Sequence, residues 1–173
     1  KPLTIGEIPA MALRISYAGE LGWEVYAPFE FGQKLWDELW GAGRHMGVVA
    51  AGLGAFDSLR LEKGYRLWGN DIHTEYNPFE AGIGFAVRMR KGKFIGREAL
   101  VAARKNGLSN KLCCMIFDDP SMVVMGKEPM FIGDWVVSYV TSANYGYSVG
   151  RGIVYGYLPI KHSEVGTKIN VEY

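Results

Sequence analysis

A chain of 173 residues that is 49% hydrophobic and 21% charged can bury a sizeable core, which excludes a disordered polypeptide. Nineteen Lys and Arg against eighteen Asp and Glu leave a formal net charge of +1, with no long basic run. Electrostatic steering toward nucleic acid or an anionic membrane therefore has no basis, and neither is an expected partner. No apolar run approaches membrane-spanning length, and the N-terminus lacks a charged-then-apolar secretion pattern.

Taken in chain order, Ala12 to Ser16 and Trp23 to Ala27 read as short strands on either side of a glycine-bent connection containing Gly19 and Gly22. Glu30 to Arg44 carries Phe31, Leu35, Trp36, Leu39 and Trp40 at the three- and four-residue spacing of an amphipathic helix. Leu53 to Lys63 repeats that pattern through Leu53, Phe56, Leu59 and Leu61, and Gly64 supplies the stop. Both helices are expected to cover a sheet whose last strand is Phe85 to Met89. The basic stretch Arg88, Arg90, Lys91 and Lys93 around Gly92 then marks a linker. A helix follows from Ile95 to Lys105. Strands are expected near Lys111 to Asp118, Trp135 to Thr141, Ile153 to Leu158 and Lys168 to Tyr173, the rhythm of a small barrel.

The two cysteines, Cys113 and Cys114, are neighbours on an expected strand and point to opposite faces, so they are poor disulfide partners and fit a reducing compartment. Their spacing is not that of a zinc site, and His45, His73 and His162 are scattered, so no metal centre is expected.

Chemistry concentrates in Arg14 to Glu24, where Tyr17 and Glu24 stand seven residues apart around the two glycines. An ionised Glu is acceptor-only and takes two parallel N–H donors, the pattern that the ring N–H and exocyclic amine of a pterin offer. A hairpin with a surface glutamate gives the same pattern. A second block, Gly52-Leu53-Gly54-Ala55-Phe56-Asp57-Ser58-Leu59-Arg60, continues through Glu62, Gly64, Tyr65, Trp68, Gly69, Asn70 and Asp71 into Asn77-Pro78-Phe79-Glu80-Ala81-Gly82. Phe94 to Leu100 and Val140 to Gly150 complete four blocks in a fixed order.

In that order the blocks resemble the glycine-cleavage aminomethyltransferase (T-protein) family, including the folate domains of dimethylglycine and sarcosine dehydrogenases and oxidases. The resemblance implies an α+β fold: the C-terminal part of a folate-binding aminomethyltransferase-like domain over residues 1–92, then a small C-terminal β-barrel over 93–173. It implies tetrahydrofolate as cofactor, with Tyr17, Glu24 and Tyr65 at folate-contacting positions. Tyr65 reads equally as a core aromatic at a helix end. Trp68 and Asp71 stay ambiguous between ligand channel and core. Asp57 and Arg60, three apart on one helix face, read as a structural ion pair, and Glu80 as a carboxylate serving backbone N–H groups. No residue is assigned to catalysis. The family's catalytic aspartate falls before Lys1, so the chain reads as a fragment, inactive alone.

Two departures from the transferase pattern point to one branch. Phe56 stands where ammonia-releasing transferases carry an arginine, and Ala18 and Leu21 stand where they carry Thr and Asp. The resemblance then implies the receiving half of an FAD-dependent N-demethylase that forms 5,10-methylenetetrahydrofolate from an N-methyl amine-derived iminium. The FAD-binding domain would belong to the same full-length protein and lie outside this chain. Gly52 and Gly54 open a dinucleotide pattern, but Asp57 occupies its third glycine position. The alternatives are a free-standing aminomethyltransferase and a non-catalytic folate-binding module. The expected location is the cytoplasm, or the mitochondrial matrix in a eukaryote.

Overall fold

The structure is a computed structural model that describes residues 1–172. It divides into two compact units, Lys1–Tyr65 and Arg66–Tyr173. This is a different cut from the boundary expected near Gly92.

In the first unit, β1 (Pro2–Ile5), β2 (Ile8–Leu13) and β3 (Glu24–Tyr26) form an antiparallel sheet in the order β1-β2-β3. Gly6, at φ 57°, makes the β1–β2 turn, in which Ile5 faces Ile8. Helix α1 (Gly32–Gly43) reaches this hairpin through Lys34, whose Nζ lies 2.9 Å from Glu7. It stops at a 3-10 turn, Arg44–Met46, followed by the left-handed Gly47. The apolar stripe expected to cover the sheet stays in view: Trp36 and Trp40 stack on each other at 6.0 Å and remain 53% and 36% exposed.

Helix α2 (Leu53–Glu62) ends as expected, with Gly64 at φ 77° donating its N–H to Leu61. Its buried face is Ser58, Arg60 and Leu61 rather than the expected stripe of Leu53, Phe56, Leu59 and Leu61. A buried guanidinium explains the rotation, because Arg60 must keep its hydrogen-bond partners inside.

In the second unit, residues 66–83 form successive turns. The expected strand from Phe85 to Met89 is instead two 3-10 turns, Gly84–Ala86 and Met89–Lys91. The N–H groups of Ala86, Val87, Met89 and Lys91 are spent on local carbonyls, which removes the donors a ladder needs. Helix α3 spans Arg97–Asn106 between the left-handed Gly96 and Gly107.

Strands β4 (Asn110–Ile116), β5 (Pro129–Ile132), β6 (Trp135–Gly146), β7 (Arg151–Pro159) and β8 (Asn170–Val171) form an antiparallel sheet in the order β4-β7-β6-β5-β8. Strands β1 and β5 had no counterpart in the sequence reading. The expected final strand shortens to two residues, and its terminal Tyr173 lies outside the described residues. Central strand β7 is buried without a break from Gly152 to Leu158. At Gly156 a Cβ would fall 2.8 Å from Met130 Sδ and 2.9 Å from the Tyr139 carbonyl, so only glycine lets those neighbours close in. Val124, Met130, Val140, Val154 and Leu158 form the core, with Cys113 packed against it. Cys114, the next residue on β4, is exposed, and both thiols are free.

The turns at 66–83 are tied to this sheet by buried polar groups. Asp71, fully buried, accepts hydrogen bonds from Leu67 N–H at 2.9 Å, Ser142 Oγ at 2.9 Å and Thr141 Oγ1. Tyr157 donates its hydroxyl to the Asp71 carbonyl at 2.7 Å, and Tyr76 stacks on the Tyr157 ring. The burial that seats Tyr157 also drives its phenol well above the ordinary value. Glu80 accepts from the Asn77 backbone and side chain, while its carbonyl takes the Leu112 N–H of β4 at 2.9 Å. Glu80 thus serves backbone donors, as its position suggested.

Candidate functional site

The first unit gathers the residues singled out in the sequence. Tyr17 lies in the irregular stretch 14–23 between β2 and β3, and Tyr65 follows α2. Their rings stack at 6.0 Å with an interplanar angle of 25°. Phe56, on α2, brings its ring to 5.5 Å from Tyr17, tilted by 38°. The three rings make an aromatic cluster that stays partly open, since Tyr65 is 38% and Phe56 41% exposed. Aromatic faces open to solvent in this way suit a flat π-system as ligand.

Arg60 holds this cluster from below. Its guanidinium is 2% exposed and pairs with Asp57 Oδ1 at 2.8 Å, and Nη1 donates to the Tyr65 carbonyl at 3.1 Å. The Arg60 carbonyl accepts the Tyr65 N–H at 2.9 Å, so one buried residue grips both polar groups of the Tyr65 backbone. The expected Asp57–Arg60 pair is present.

The two loop glycines allow close packing within the protein. A Cβ on Gly19, at φ 75°, would lie 2.0 Å from Lys63 Cγ, and Lys63 Nζ pairs with Glu20 at 3.1 Å. A Cβ on Gly22 would fall 2.7 Å from Ser16 Cβ. The stretch 14–23 is therefore folded tightly on itself and on the end of α2, which fixes Tyr17 in place.

Glu24 is the first residue of β3, opposite Leu13 of β2, and is half-buried. Tyr26 lies two residues on, along the same face of the strand, and its hydroxyl donates to Glu24 Oε2. That bond and the nearby negative charge push the Tyr26 phenol above its ordinary value. Tyr26 and the ring of Phe56 were missed in the sequence. The i, i+2 spacing on a strand was the available sign for the first, and the placing of Phe56 nine residues before Tyr65 around one helix for the second.

A cleft of about 550 Å³ in the second unit, between β4 and the stretch 163–171, opens on Met115, Phe117 and Ile169. It brings no stacked aromatic cluster beside a carboxylate and is a poorer match to a flat heterocycle. Among the described residues no group of three or more His, Cys, Asp or Glu is placed to hold a metal ion, and no helix is long and apolar enough to cross a membrane.

The three-stranded sheet with its two helices, followed by an antiparallel sheet, is an α+β arrangement of the aminomethyltransferase kind. The crystal structure of glycine cleavage system aminomethyltransferase T from Bartonella henselae superposes with a TM-score of 0.84 at 30% identity, covering 94% of this chain and 45% of that one. Residues 1–91 match the family described as the GCVT N-terminal domain, and residues 110–173 the glycine cleavage T-protein C-terminal barrel domain. The chain belongs to the glycine cleavage T-protein family. It is 38% identical over 173 residues to the mitochondrial dimethylglycine dehydrogenase of Homo sapiens, covering 99% of this chain and 20% of that protein. It is also 38% identical to the aminomethyltransferase of Symbiobacterium thermophilum, covering 99% of this chain and 46% of that protein. The chain thus spans less than half the length of these relatives.

Proposed function

We propose that this chain holds tetrahydrofolate in a one-carbon-transferring enzyme of the dimethylglycine and sarcosine oxidoreductase type. The observation that carries the reading is the Tyr17, Phe56 and Tyr65 ring cluster in the same unit as the Glu24 carboxylate. In this reading Tyr17 and Tyr65 pack on the folate, and Glu24 accepts the paired N–H donors of the pterin.

Identity does not choose between branches, since the dehydrogenase and the transferase relatives stand equally close at 38%. Phe56 favours the oxidative branch. Its ring is spent on Tyr17, and it offers no cation to the acidic tail of a folate. Ala18 and Leu21 are likewise apolar where the transferase pattern is polar.

Bound tetrahydrofolate supplies the nitrogen nucleophiles that take up a one-carbon unit as 5,10-methylenetetrahydrofolate. The chain's own residues bind and orient it. Flavin chemistry is assigned to a separate domain of the whole enzyme. The proposed partners are folate, an iminium derived from an N-methyl amine, and that FAD-binding domain, in the cytoplasm or mitochondrial matrix. A free-standing aminomethyltransferase remains the second reading, supported by the 38% identity to that relative.

Binding of tetrahydrofolate compared with its N3-methyl analogue tests the reading. Saturable binding that the N3-methyl group abolishes supports it. Equal binding of the two overturns it.

A further inference from the structure

We infer that Tyr26 is a positioning residue for Glu24, presenting its carboxylate in the orientation that receives a ligand with two parallel N–H donors. The inference rests on the folate reading above. Glu24 and Tyr26 are the first and last residues of β3, opposite Leu13 and Met11, so their side chains leave the strand on one face. The Tyr26 hydroxyl reaches Glu24 Oε2, and this bond lies on the exposed side of the sheet, where Tyr26 is 50% exposed.

An exposed pair of this kind contributes little to fold stability, because both groups are well solvated when apart. Its effect is on freedom instead. A glutamate loses substantial rotamer entropy when its carboxylate is fixed, and a ligand that meets a carboxylate already fixed escapes that cost.

Acceptor capacity is sufficient. An ionised carboxylate offers about four lone-pair positions across its two oxygens, and the hydroxyl of Tyr26 uses one of them. Oε1 keeps both of its own and Oε2 keeps one, enough for two parallel N–H donors, one on each oxygen. The donor also stays a donor: Glu24 raises the Tyr26 phenol above its ordinary value, so the hydroxyl remains protonated at neutral pH.

A double-mutant cycle tests this, with tetrahydrofolate affinity measured for the wild type, Tyr26→Phe, Glu24→Gln and the double variant. Thermal midpoints of all four check that the fold is kept. The expected result is an affinity for Tyr26→Phe weakened about three- to tenfold, the scale of one ordinary intramolecular hydrogen bond. In the Glu24→Gln background the same change should have no further effect. A tyrosine that merely packed against the ligand or the sheet would lower affinity equally in both backgrounds, and that result overturns the inference. So does wild-type affinity for Tyr26→Phe beside a weakened Glu24→Gln, which leaves the folate reading standing. Unchanged affinity for Glu24→Gln overturns both.

Discussion

Ser142 donates its hydroxyl to Asp71 at 2.9 Å, a bond between residues 71 positions apart that pins the turn around Leu67–Ile72 to the bulged part of β6. Thr141 and the Leu67 N–H also donate to this fully buried carboxylate. Asp71→Ala should leave these donors without their acceptor and cost about 2–4 kcal/mol of stability, with Asp71→Asn costing less. Urea unfolding of both variants checks this. A loss below about 0.5 kcal/mol, the scale of an ordinary surface substitution, would contradict the anchoring role.

Arg60 is the corresponding anchor in the first unit. Arg60→Met should remove the donor to the Tyr65 carbonyl and the bond to Asp57, lowering stability by about 1.5–3 kcal/mol, the scale of hydrogen bonds to a charged group. Asp57→Asn should cost less, because Arg60 keeps its bond to the Tyr65 carbonyl and the asparagine side-chain oxygen can still accept from it. Equal losses for the two, measured by denaturant unfolding, would mean that the grip on Tyr65 contributes nothing.

Around Gly92, the residues Arg88, Arg90, Lys91 and Lys93 are exposed, and we propose this stretch as the boundary between the folate-binding segment and the barrel. Limited trypsin digestion should cut there first, with the sites read by mass spectrometry. The two pieces should nevertheless stay together on gel filtration, because Asp71 and Glu80 upstream are bonded to Ser142 and Leu112 downstream. Early cutting elsewhere, with 88–93 protected, would contradict the boundary.

Tyr17→Leu removes one ring from the aromatic cluster while keeping an apolar side chain. If the cluster receives a pterin, tetrahydrofolate affinity should fall by about 1–3 kcal/mol, the range for heterocycle stacking on an aromatic residue. Fluorescence titration checks this, and an unchanged dissociation constant would remove Tyr17 from the site.

Features with local causes were legible in the sequence. The extents of α1 and α2, the stop at Gly64 and the Asp57–Arg60 pair all follow from spacing within one or two helical turns. The rotation of α2 was not, because its apolar positions pointed to one face and a buried arginine chose another. The stretch Phe85 to Met89 looked like a strand because Phe85, Val87 and Met89 alternate with their neighbours. Alternation does not reveal whether a ladder partner exists. In the candidate site, Tyr17 and Glu24 stood out by their spacing around two glycines, whereas Tyr65 was visible only through resemblance to a family. The reasons for Gly19 and for the buried state of Asp71 lie in Lys63 and in Thr141 and Ser142, partners that a linear reading does not bring near.

Calorimetric titration of tetrahydrofolate into the protein and into its Glu24→Gln variant tests the central claim most directly. The substitution keeps the size of the side chain but replaces a charged double acceptor with a neutral amide that has one acceptor oxygen. The account predicts a loss of about 1.5–3 kcal/mol, the worth of a charge-assisted hydrogen bond, seen as a dissociation constant raised about ten- to a hundredfold. The same affinity for both proteins would contradict it.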